Sequence, residues 1–332
     1  GRIPILLSGT LIFIFAGIVT SLATSMEMML VGRFLQGLGA SASVVVSRAI
    51  VRDIASGKKA ASILSIMVMI FTATPMLAPI IGGYLVSQFD WRAPFIAITI
   101  FGVIIFFSIT HGLHETKIPE KNKRIKEQLF AGIKEFFSHK QSMISMLLIV
   151  IPTMGYMSLI SASSSLIIGI YDFPVKWFGT IFALAGLAVL IGSAINRRLL
   201  KKFNILQIVG LGAFLVGLGS IFLMYFAWQN QASFIWLWSS VCIYMFGTSF
   251  LISNATAMAL DPVPKTAGIA ASIIGTLQNL CSSLGAITTG IIYNNSIRNT
   301  ILVMAIFGFL TLIIYVLSFR VMKHHIVSLN LT

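Results

Sequence analysis

Gly32–Asp53 reads GRFLQGLGASASVVVSRAIVRD, and the reading of the whole chain turns on it. The apolar part of this stretch is long enough to cross a bilayer, which takes about 20 helical residues. Arg33 lies near one end. A guanidinium costs about 2.5–3.5 kcal/mol at the centre of a membrane helix and less toward the interface, so an arginine here marks a function. Arg33, Gln36, Gly37, Ala40, Ser43 and Ser47 recur at three- and four-residue steps and fall on one helical face. Such a face is too polar for lipid and suits a water-filled or substrate-lined cavity. The next span places Pro75, Pro79, Gly82 and Gly83 on one side, with Ala78 between them. Proline frees carbonyls that neighbouring helices must satisfy, and small residues let two backbones approach. Helix packing alone is the alternative reading of any single glycine among them.

Composition sets the class. Of 332 residues, 57% are hydrophobic and 10% charged, with a mean hydropathy of +0.97. Soluble domains carry about 25% charged residues, so the chain is an all-α integral membrane protein. Proline interruptions and continuous apolar runs of about 20 residues favour helices over a barrel, whose strands would be about 10 residues of alternating polarity. Ten apolar spans are expected, at roughly 3–25, 28–50, 61–87, 91–112, 142–170, 177–196, 205–228, 233–259, 266–293 and 299–320. If the loops alternate sides, one side holds 19 of the 23 Lys and Arg residues, and the positive-inside rule makes it cytoplasmic. The formal charge of +14 is therefore topological and implies no nucleic acid.

The longest loop divides the chain into residues 1–113, a linker at 114–141 and a six-span part at 142–332. Within the linker Ile125, Leu129, Ile133, Phe136 and Phe137 form an apolar stripe beside lysines, the pattern of an amphipathic helix on the cytoplasmic membrane surface or of a structural connector. Asp53 is followed by Ala60-Ala61-Ser62-Ile63, and Asp261 by Ala270-Ala271-Ser272-Ile273. A repeat about 210 residues apart, six helices and a loop, is the parallel-repeat architecture of transporters. The first copy has two spans before it where that architecture has four.

Several motifs carry a family resemblance. Gly1-Arg2-Ile3-Pro4 is similar to the end of a G-R-R/K-P loop motif, with Ile3 in place of the second basic residue. Residues 33–39, RFLQGLG, match the fourth-helix pattern R-x-x-Q-G-x-G, and Ala78-Pro79-Ile80-Ile81-Gly82-Gly83 matches a fifth-helix motif associated with antiporters. With Arg48-Ala49-Ile50-Val51-Arg52-Asp53 and Ala259-Leu260-Asp261-Pro262, the chain resembles the Bcr/CflA drug-resistance branch of the major facilitator superfamily. The resemblance implies a helical bundle with about ten of the usual twelve membrane helices. It also implies a proton-coupled exporter of small amphipathic drugs in the inner (plasma) membrane, with linker and C-terminus cytoplasmic, working as a monomer without cofactors. Two further helices are expected upstream of Gly1, the first with the carboxylate that binds the coupling proton. Arg33 is then expected in the coupling network. Arg2, Arg48, Arg52, Asp53 and Asp261 are expected to help gate the cytoplasmic side.

Residue chemistry narrows the site. Polar groups near span centres are Tyr156, Ser161, Tyr244, Gln278 and Asn279, which with Gln36 are the candidates for a substrate cavity; each serves equally as an interhelical hydrogen bond. None of the nine acids lies at mid-span. His111, His114 and Glu115 have the order H-x-x-H-E, not the H-E-x-x-H of zinc proteases, and no metal or enzyme constellation is found. Two alternatives stand beside the drug exporter: a metabolite transporter of the same superfamily, and a truncated membrane remnant that does not transport.

Overall fold

The computed structural model describes residues 1–55, 57–115, 125–229 and 232–329, and among them there are helices and turns but no strand. The helices are α1 (Arg2–Ser21), α2 (Met26–Ile54), α3 (Gly57–Gln88), α4 (Ala93–Gly112), α5 (Ile125–Ser138), α6 (Lys140–Ser164), α7 (Val175–Leu199), α8 (Ile205–Gln229), α9 (Phe234–Leu260), α10 (Ala267–Ile292) and α11 (Ile297–Leu329). A π-helical segment, Ser165–Ile170, extends α6, and a 3₁₀ turn, Pro264–Thr266, precedes α10. Among the described residues nine helices are long and apolar enough to cross a membrane. The remaining expected span, 61–87, falls in α3, where Leu77–Gln88 forms a shorter apolar helix and several side chains lie outside the described residues.

Local chemistry sets the helix ends. The Ser25 hydroxyl caps α2 by accepting from the Met28 amide at 3.2 Å. Asp172 and Asn295 take the left-handed conformation, φ 54° and 58°, in the turns before α7 and α11. Short polar side chains tolerate that geometry better than most.

The chain divides into two compact units. The first holds α1–α4 together with Val175–Gly179. Its α1 and α2 pack backbone to backbone, since a Cβ on Gly39 would overlap the backbone of Gly9 and Phe13. Leu6, Val46, Ile50 and Ile109 form a buried cluster joining α1, α2 and α4. At the other end Arg92 donates to the Ala23 carbonyl at 3.1 Å, pairs with Asp90 at 3.2 Å and lies 4.2 Å from the Trp91 ring centroid.

The second unit holds α5, α6, most of α7, and α8–α11. Its centre is Tyr244, which has no exposed surface. The phenol donates to the Pro152 carbonyl at 2.8 Å, inside a helix that its own proline interrupts. Gly155 of α6 and Gly308 of α11 stand where a Cβ would press on the phenol and ring, and Gly219 of α8 stands where a Cβ would press on the Tyr244 backbone and Cβ. Three small residues thus shape one aromatic socket. Nearby, the buried Asn254 amide on α9 donates to the Asn196 side-chain oxygen on α7 at 2.8 Å. Gly285 of α10 abuts the Met154 backbone of α6.

Tyr244→Phe removes only the hydrogen bond, worth about 0.6 kcal/mol in a membrane bundle. Gly308→Ala overfills the socket, where excess volume costs about 1–3 kcal/mol. Thermal unfolding of the purified protein in detergent is therefore expected to rank wild type above Tyr244→Phe, and Tyr244→Phe above Gly308→Ala.

Candidate functional site

In the first unit the site is built on α2. Arg33 Nη1 donates to Gln36 Oε1 at 2.7 Å, one helical turn away, and the guanidinium carbon lies 5.7 Å from the ring centroid of Phe95 on α4. Gln36 is only 3% exposed, and its Nε2 is buried with no hydrogen-bond partner. Gly17 makes the room: a Cβ there would overlap the Thr99 hydroxyl and stand 3.4 Å from Gln36 Nε2. The amide is therefore held in a slot between α1, α2 and α4, and its oxygen orients an arginine that is itself exposed.

The face expected to be uniformly polar is thus divided. Arg33 and Gly37 are exposed, Ala40, Ser43 and Ser47 are half-buried, and Gln36 is buried. Gly32 and Gly39 pack against α1, whereas Gly37 faces open space. Of the fifth-helix motif, Pro79 is half-buried and Gly82 meets nothing within 4 Å. Gly83 would place a Cβ 3.5 Å from the Val175 carbonyl, and a Cβ on Gly179 would overlap the backbone of Pro79 and Ile80. The side chain of Pro75 lies outside the described residues.

Where α1 begins, Arg2 Nε pairs with Asp53 at 3.1 Å, and Glu115 accepts from the backbone amides of Arg2 and Ile3 at 2.7 and 3.2 Å. The start of α1, the end of α2 and the end of α4 are tied together in this way. The side chains of Arg48 and Arg52 lie outside the described residues. In the second unit Asp261 closes α9 at an exposed position, its amide donating to the Ala257 carbonyl at 3.1 Å.

The cavity candidates of the second unit fall in different surroundings. Tyr244 is the buried wedge described above and has no surface to offer a ligand. Tyr156 and Gln278 are half-buried, and Ser161 and Asn279 are exposed. Asn279 belongs to a pattern that the sequence reading passed over. On α10 the exposed Ser272, Thr276, Asn279 and Ser283 step by four, three and four residues and so share a face. The exposed Leu280, Leu284, Ile287 and Ile291 form a second stripe about 100° away, and Ala270, Ile274, Ser282, Gly285 and Thr289 form the buried third. Donors of the polar stripe fold back on their own helix, Asn279 Nδ2 to the Gly275 carbonyl at 2.9 Å and Ser283 to the Asn279 carbonyl at 3.0 Å. Hydroxyl lone pairs remain for water or a solute. The apolar stripe suits lipid and the polar one an aqueous cavity. The signal was available in the spacing, but small hydroxyls are common in membrane helices and exposure separates the stripes.

Comparison with known proteins bears on this geometry. The family model described as Major Facilitator Superfamily matches residues 1–286. A bicyclomycin resistance protein homolog of Haemophilus influenzae is 29% identical over 84% of this chain and 70% of that protein. The multidrug resistance protein MdtL of Shewanella oneidensis is 27% identical over 99% of this chain and 82% of its own, and that of Escherichia coli 29% over 86% and 71%. Among solved structures, an inward-facing, unoccupied bacterial homolog of a human lysosomal transporter, Spinster, superposes with a TM-score of 0.73 at 14% identity over 96% of this chain and 81% of that one. A peptide transporter bound to alafosfalin gives 0.73 at 15% identity over 98% and 80%. These two show the shared fold.

The stripes are separable by thiol chemistry, because the thiolate that reacts with a maleimide forms only where water reaches it. In a Cys242→Ser/Cys281→Ser background, Thr276→Cys, Asn279→Cys and Ser283→Cys are expected to react with a membrane-impermeant maleimide. Leu280→Cys and Leu284→Cys are expected to react about tenfold more slowly or not at all.

Proposed function

We propose, because the chain belongs to the Major Facilitator Superfamily, that this transporter expels small amphipathic drugs in exchange for protons by alternating access. The observation that carries the reading is Arg33, an exposed guanidinium on a membrane-spanning helix, held at 2.7 Å by a buried glutamine. A charge kept in such a place lowers the pKa of a carboxylate brought within about 4–6 Å and favours its ionised form. This is the control a proton-coupled cycle requires. The polar stripe of α10, with Asn279 at its middle, supports a solute path of the kind found near the bilayer midplane in such transporters. The class of solute follows the relatives, which are described as bicyclomycin and multidrug resistance proteins.

Supporting parts have consistent places in this reading. The Arg2–Asp53 pair and the Glu115 cap fasten one end of the first unit, and the charge distribution supports a cytoplasmic placement of that end. Pro79, Gly83 and Gly179 bring two backbones together with no room for water between them. Gln278, Asn279 and Tyr156 are the side chains we assign to the solute path, and the working form is a monomer.

The test is resistance in an efflux-deficient bacterial host. Wild type is expected to raise the inhibitory concentration of several amphipathic drugs. Arg33→Ala should fall to the vector control at equal membrane abundance, and Arg33→Lys should retain part of the effect, since it keeps the charge but not the fork. No resistance to any drug, with growth changed instead by a single nutrient or metabolite, would replace the drug reading with a metabolite transporter. Full resistance in Arg33→Ala would remove Arg33 from the mechanism.

A further inference from the structure

The helix α5 carries two apolar sectors. The inner one is used within the second unit: Phe136 is fully buried, Gly132 lies against Ile269 of α10, and Glu135 accepts from the Thr266 hydroxyl at 2.8 Å at the start of α10. The outer one is not. Leu129, Phe130, Ile133 and Phe137 are exposed, Phe130 by 73%, and share a face beside the buried one. Fourteen residues make a helix of about 21 Å, too short to cross a bilayer. Four exposed large apolar side chains on a short helix beside a membrane bundle form a surface that water does not favour.

Charge selects the occupant. The segment 117–140 carries seven Lys and Arg against three Glu, and Lys134 and Lys140 are exposed on or next to α5. A basic amphipathic helix with aromatic residues on its apolar face binds the interface of a membrane containing anionic lipid. A protein partner of the same apolar character would have no need of the lysines. We propose that the outer face of α5 docks into the headgroup region of an anionic leaflet, Leu129, Phe130, Ile133 and Phe137 entering the acyl boundary and the lysines meeting lipid phosphates. Glu135 and Gly132 fix the inner face to Thr266 and Ile269 at the start of α10, so the outer face is the one left for lipid.

Hydrogen exchange of the full chain in nanodiscs tests this without reference to transport. Amides of 125–138 are expected to exchange about tenfold more slowly in phosphatidylcholine discs containing phosphatidylglycerol than in phosphatidylcholine alone, with the gain lost in Phe130→Ser/Phe137→Ser and reduced in Lys134→Glu. Exchange in α8 and α9 serves as the folding control and should be unchanged. The same rate in both lipids, or the same protection in detergent as in anionic discs, would overturn the proposal; the second would mean that protein covers this face.

Discussion

Hydrocarbon offers no hydrogen bonds, so a polar group carried into a bilayer must find its partner within the protein. That constraint explains where nearly every notable side chain of this molecule lies. Serine and threonine hydroxyls return to carbonyls of their own helices, as Thr10, Thr20 and Thr153 do. The Tyr244 phenol reaches across to Pro152, and the amides of Asn254 and Asn196 bond to each other between helices. Groups that fit this scheme hold the bundle together. Those that depart from it mark where the protein does something else.

Arg33 and Gln36 are the departures, while the polar stripe of α10 satisfies its donors on its own helix and is set apart by its exposure. A guanidinium has five donors, and the bond to Gln36 engages one of them. Gln36 in turn is buried with its own amide nitrogen unpartnered, an arrangement costly enough to need a reason. Holding a charge at a fixed place on a membrane-spanning helix is such a reason. On α10 the exposed polar stripe stands next to an exposed stripe of leucine and isoleucine. The proposed exchange would use both features: a charge whose neighbours change as the molecule alternates, and a wall that a solute can wet.

Much of the architecture was legible in the sequence. Apolar runs gave the helices, and the R-x-x-Q-G-x-G pattern gave the superfamily. The site was less so. Tyr244 and Asn279 are both polar residues near span centres, and composition could not separate them. Tyr244 is a wedge because Gly155 and Gly308, from two other helices, converge on its ring while Gly219 of a third lies against its backbone, and that convergence is a tertiary fact. Gln36 likewise shares the helical periodicity of Arg33 yet is buried, because Gly17 on α1 leaves a slot for its amide. The apolar stripe of α5 was visible as periodicity, but its division into a buried part at Phe136 and an exposed part with Phe130 followed from the packing on α10.

The central claim is that drug and proton move in opposite directions through this chain. It is tested most directly in proteoliposomes loaded with a pH-sensitive dye, where addition of a cationic amphipathic drug is followed by both drug fluorescence and internal pH. The account predicts that drug movement starts a proton flux of opposite direction, that an imposed pH gradient drives the drug against its own gradient, and that collapsing the gradient stops it. Drug movement indifferent to the pH gradient, with no accompanying proton flux, would contradict it.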